Sequence, residues 1–182
     1  MESNTKKYFW NHAGTAGILL GLISSTVMFI GQYFSTVQMS NFWALTLSGI
    51  LWLAETVGCV GLMYIFMKKF TLEYPEAEAK QIFRFGSAIA FLSATVYATV
   101  TFANIAYISA DYYSAQFNLA LQQLSSSLDS NSRSLIESAV ANMPQIAFVS
   151  NLIYCTIFGT VISSIITRGF LSKTANSENT IE

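Results

Sequence analysis

Charge is what this chain has least of. Only 10% of its 182 residues are Asp, Glu, Lys or Arg, while 53% are apolar and 14% aromatic; soluble domains run at about a quarter charged. So few charges cannot cover a water-facing surface, and a mean hydropathy of +0.46 places the chain among membrane proteins. The nine basic residues form no stripe and cluster only as two Lys-Lys pairs, so nothing predicts a nucleic-acid partner. Histidine occurs once, as His12, and cysteine twice, as Cys59 and Cys155. One imidazole at a helix end and two thiols inside apolar runs give neither a metal-ligand spacing nor a disulfide framework. No metal and no cofactor is expected. H-E-x-x-H, G-x-S-x-G, C-x-x-C and phosphate-binding glycine loops are all missing, and the chain is expected not to be an enzyme.

What is present is a set of four long apolar runs, at about 12–34, 42–67, 85–109 and 146–171. A hydrocarbon core of about 30 Å needs roughly 20 apolar residues of helix, so each run is long enough to cross. The fold class predicted is all-α: four transmembrane helices in an antiparallel bundle, with a helical external segment over 111–145 between the third and the fourth. Residues 1–11 read as a polar cytoplasmic leader ending in the aromatic anchor Tyr8, Phe9 and Trp10, and 172–182 as a disordered cytoplasmic tail. The first run exceeds a signal-peptide h-region and is followed by no clear A-x-A site, so it is read as a permanent helix.

Small residues recur every fourth position on three of the runs. Ala13, Gly17, Gly21 and Ser25 do so on the first, Gly86, Ala90, Ala94 and Ala98 on the third, and Gly159 and Ser163 on the fourth, with Gly58 on the second. Such faces let helix backbones approach closely, and the same device would support a homodimer. Between 111 and 145, Tyr113, Phe117, Leu121, Leu124 and Leu128 define one apolar helix face. After a turn at Asp129 to Asn131, Ser134 and Glu137 stand in capping-box spacing and Pro144 is expected to close a second short helix. The pair is expected to cap the bundle.

Orientation follows from the basic residues. Lys6, Lys7, Lys68, Lys69, Lys80, Arg84, Arg168 and Lys173 fall on one side of the four spans and Arg133 alone on the other. By the positive-inside rule both termini are cytoplasmic and 111–145 is external or periplasmic, as expected for a bacterial inner membrane.

Glu55 is the one acid deep inside a span. It lies thirteen residues from Lys68, as Tyr97 does from Arg84, so both sit about 20 Å from the cytoplasmic edge. The second helix is expected to turn Ser48, Trp52, Glu55, Gly58 and Cys59 inward and Leu53, Val57, Val60 and Tyr64 outward. Glu55 would then meet the polar stripe of Ser93, Tyr97, Thr101 and Asn104 on the third helix. An ionised carboxylate is costly in hydrocarbon and no basic side chain is available at that depth. A neutral carboxyl hydrogen-bonded to Tyr97 or Ser93 is the structural reading. A proton-coupled site is the functional one.

The layout resembles a bacterial inner-membrane family known as domain of unknown function 4199. The likeness rests on AGTAGILLGL in the first helix, GLMYIFMKKF ending the second, IFRFGSAIAF opening the third, a long helical external segment, and ISSIITRGFLSK ending the fourth. The family has no established activity, so the resemblance implies a fold and no functional residue. The loop TLEYPEAEAK and the intramembrane Glu55 depart from its pattern. The function expected is that of a non-enzymatic structural or accessory membrane protein with the lipid bilayer as its partner. The alternatives are a small proton-coupled transporter using Glu55 and an envelope sensor binding a partner through 111–145.

Overall fold

The computed structural model describes residues 3–36, 41–124 and 129–178, and among them there is helix and no strand. The elements are α1 (Ser3–Thr36), α2 (Asn41–Glu73), α3 (Ala79–Ala103), a π-helical segment (Asn104–Ile108), α4 (Ala110–Leu124), α5 (Ser130–Ala141) and α6 (Met143–Glu178). Four of these helices are long and apolar enough to cross a membrane: α1, α2, α3 with its π continuation, and α6. Helix is the form such sequences must take there, because lipid offers no partner for an open backbone N–H or C=O. Hydroxyls on the lipid-level turns follow the same rule by bonding back one turn. Thr26 donates to Leu22 O, Thr56 to Trp52 O and Thr99 to Thr95 O, all at 2.8–2.9 Å.

The helix α3 is the centre of the molecule, held between α1 and α6, with α2 leaning mainly on α1. Small residues make those contacts close. A methyl group built on Gly17 would come within 2.5 Å of Leu92 Cβ, and one on Gly21 within 2.6 Å of Val96 Cβ and 2.8 Å of Ser93 O. Gly86 packs against Ser163 and Met67, and Gly159 against Ala90. Ala90, Ala94 and Ala98 of α3 are buried. The small-residue faces of α1, α3 and α6 are therefore occupied by the chain's own helices. Gly58, by contrast, has nothing within 4 Å of such a methyl group.

The contacts are tightest where the start of α1, the end of α2, the start of α3 and the end of α6 come together. Phe70 and Phe85 stack at 4.4 Å, both 1% exposed. Phe9 meets both edge-on, Tyr8 packs on Phe70 and Tyr74, and Met67 and Ile166 complete the core. His12 belongs to this end too, stacked on Tyr8 at 3.7 Å with Nδ1 3.1 Å from Tyr8 O.

Several boundaries differ from the sequence expectation. The mixed-charge loop is mostly helix: α2 runs through Lys68 and Lys69 to Glu73, and α3 already includes Lys80 and Arg84. A 33-residue α2 is about 50 Å long, enough to cross the hydrocarbon and continue beyond it. The tail expected to be disordered from 172 is helical to Glu178. The two helices expected between the third and fourth spans are present, but α5 begins at Ser130, capped by Asp129 accepting from Ser132 N at 2.9 Å, and not at Ser134. Pro144 opens α6 instead of closing α5, since the first turn of a helix has no use for the amide proline lacks. On α4, Tyr113, Phe117 and Leu121 are half-buried; the side chain of Leu124, and Leu128, lie outside the described residues. The main contacts of α4 are with the π segment and those of α5 with α6.

Candidate functional site

Helices α2 and α3 pack together in the core cluster that holds Met63, Met67, Phe70, Phe85 and Ile89, and Glu55 lies beyond it. There a cavity of about 260 Å³ is walled by all four long helices. Helix α1 contributes Ser24, α2 Glu55 and Cys59, α3 Ser93 and Tyr97, and α6 Asn151 and Cys155. The expected face-to-face packing of Glu55 on the α3 stripe is thus replaced by a gap. The reason is steric: Gly17 and Gly21 draw α1 onto α3, and Ala90 with Gly159 draws α6 onto it.

Glu55 is half-buried, and it borders the cavity beside Ser24 of α1. Ser24 Oγ also lies 3.6 Å from Cys59 Sγ, one turn along α2 from Glu55. The carboxyl borders the cavity. No basic residue lines the space. The helix is also rotated slightly from its expected setting. Trp52 and Val60 both border the cavity, Tyr64 turns toward Phe170 of α6 at 5.3 Å, and Leu53 and Val57 face outward.

The predicted polar stripe of α3 divides in two. Ser93 and Tyr97 border the cavity together with Ala90 and Ala94. Thr101 and Asn104 do not. Thr101 donates to Tyr97 O at 2.9 Å and to Met28 Sδ at 3.4 Å, on the α1 side. Asn104 is fully buried in a second polar cluster: its amide donates to Gln32 Oε1 at 2.8 Å and to Tyr113 at 3.3 Å, and its Oδ1 accepts from Ser109 at 2.8 Å. The backbone changes form at the same place, Ser109 N donating to Asn104 O across five residues at 2.8 Å. Tyr112 extends the cluster to Ser35 at 2.9 Å, tying α4 to the end of α1. Burial, with Tyr112 alongside, pushes the Tyr113 phenol above its ordinary range, so it enters this cluster as a neutral hydroxyl.

Ser24, Asn151, Cys155 and Gln32 were not picked out as site residues by sequence. Asn151 and Cys155 stand one turn apart on the fourth run, a signal that was legible. Ser24 sits beside the small-residue face of α1 and carried no signal of its own. Among the described residues no group of three or more His, Cys, Asp or Glu side chains is arranged to hold a metal ion.

No curated protein and no solved structure matches this chain. A family model does, and it covers residues 15–168, reaching into all four long helices and including every cavity residue named above. The chain belongs to the family described as protein of unknown function (DUF4199).

Proposed function

We propose that this is a non-enzymatic multi-pass protein of the bacterial cytoplasmic membrane that binds a small molecule beside Glu55 and exchanges it for a proton. The observation that carries the reading is the cavity of about 260 Å³ bounded by all four long helices with one acid in its wall. A carboxyl retained only to hold helices together would be sunk in their contacts. Glu55 instead borders open space, with Ser24 in the same wall. Intramembrane acids are costly, and they are found facing cavities and pathways more than lipid. The remaining wall is mostly apolar with a few hydroxyl, amide and thiol groups, the composition of a small-molecule site.

Charge supports the orientation. Lys7, Lys68, Lys69, Lys80, Arg84 and Arg168 belong to the end of the molecule that holds the Phe70–Phe85 core, whereas Arg133 lies on α5. The core end is then cytoplasmic, with both termini, and α4 and α5 face the other side. With Cys59 and Cys155 replaced, an impermeant maleimide applied to intact cells should label Gln116→Cys and miss Glu76→Cys. The reverse pattern overturns the orientation.

The thiols of Cys59 and Cys155 report on the cavity itself. N-ethylmaleimide, small and membrane-permeant, should modify Cys155 in the folded protein in liposomes. Thiols that react only after denaturation would refute an accessible cavity, and the binding reading with it.

A further inference from the structure

We propose that the cavity selects a lipophilic organic cation of single-ring size, admitted sideways from the bilayer between α2 and α6. The inference rests on the reading of the cavity as a binding site and names its ligand class. Charge is the first argument. Glu55 is the acid in the wall, no Lys, Arg or His lines the space, and the described neighbours offer it a hydroxyl but no counter-ion. A buried carboxylate without a cation is unfavourable, so a ligand that brings the positive charge gains what the chain withholds. An anion would meet repulsion and a zwitterion would leave its negative end unpaired.

The walls are the second argument. Trp52, Tyr97, Tyr154 and Phe158 all border the space, so ring faces as well as the carboxyl are available to an ammonium group. The third is the way in. Helices α2 and α6 meet near Tyr64 and Phe170, at the core end. Farther along, Trp52, Tyr154 and Phe158 line the cavity while remaining 61%, 66% and 44% exposed. Residues that belong to the wall and the outer surface at once mark an opening, and here that opening faces lipid. A ligand arriving by that route must partition into the bilayer. The volume, about 260 Å³, lies just under the roughly 300 Å³ at which pockets begin to hold drug-sized molecules, which sets the single-ring size.

The exchange step balances simply. A neutral Glu55 that takes up the cation releases its proton to water, the O–H bond breaking with its electron pair left on the carboxylate, and a carboxylate–cation pair remains. The titratable groups facing Glu55 are Cys59 on its own helix, Tyr97 on α3, and Tyr154 and Cys155 on α6, while α1 presents the Ser24 hydroxyl.

The test compares benzyltrimethylammonium with neopentylbenzene, its uncharged isostere, as protectors of Cys155 against N-ethylmaleimide in liposomes. The cation should protect saturably and the isostere should not. In Glu55→Gln the protecting concentration should rise by about thirtyfold or more, the usual loss when one partner of a close charge pair is removed. Trp52→Leu, on the exposed rim, should raise it about three- to thirtyfold without disturbing the helices, and supplies the test if Glu55→Gln fails to fold. Calorimetry in two buffers of different ionisation enthalpy should show a proton released per cation bound to the wild type and none to Glu55→Gln. If Cys155 reacts but the two probes protect equally, or neither protects, the cation inference falls and the cavity reading stands. If Cys155 does not react at all, both fall.

Discussion

Gly21 offers the sharpest check on the packing that creates the cavity. Replacing it by alanine adds one methyl group, which on the present backbone would lie 2.6 Å from Val96 Cβ and 2.8 Å from Ser93 O. Carbon atoms pack at about 3.5–4.0 Å, so the helices must part by about 1 Å. The Ser93 oxygen is backbone and cannot rotate away. Separation of α1 from α3 also loosens the Thr101–Met28 and Asn104–Gln32 contacts farther along the same seam. Overpacking of this kind costs about 1–3 kcal/mol. Gly14, on the same helix, has nothing within 4 Å of an added methyl group. There alanine is expected to stabilise by about 0.5–1 kcal/mol through helix propensity alone. The two substitutions are chemically identical, so their difference isolates the interface. Unfolding of each variant by SDS titration in mixed micelles, followed by tryptophan fluorescence, should place Gly21→Ala below the wild type and Gly14→Ala at or above it. Equal stability for both would refute the close α1–α3 approach.

Asn104→Leu should destabilise by about 1–3 kcal/mol in the same assay, because the Gln32 and Ser109 groups that now bond to Asn104 lose their partner; an unchanged midpoint would mean that the buried cluster is not intact in the membrane. Glu55→Ala should change stability by less than about 1 kcal/mol, since the carboxyl borders a cavity and even a full membrane hydrogen bond averages near 0.6 kcal/mol; a large loss would restore the carboxyl as a structural anchor. Asp129 carries a pH prediction. Its carboxyl is held below the ordinary range, first by hydrogen bonding with the Ser132 side chain and then with its amide. A depressed carboxyl contributes stability above its unfolded value and loses it as pH falls through the folded one. Hydrogen exchange at Ser132 should therefore quicken, relative to the intrinsic rate, as pH drops below the ordinary carboxylate range, and Asp129→Asn should flatten that dependence. A pH-independent protection factor in the wild type would contradict the cap.

The four membrane helices were legible in the sequence because crossing hydrocarbon imposes one requirement, unbroken apolar helix, that is written into each segment separately. The small-residue faces were legible for a related reason: Gly17, Gly21, Gly86 and Gly159 announce close approach without naming the partner. What could not be read was which helix answers each face. Tertiary structure decided that α3 takes α1 on one side and α6 on the other, so those faces are filled within the chain. The same choice separated Thr101 and Asn104 from Ser93 and Tyr97, although all four share one stripe, because neighbouring helices divide a stripe along its length. Sequence placed Glu55 and Tyr97 at one depth, since depth is simply residues counted from the charged edge multiplied by the helix rise. Whether an acid at that depth meets a partner or a space depends on three other helices at once, and only their packing could determine that Glu55 looks into a cavity.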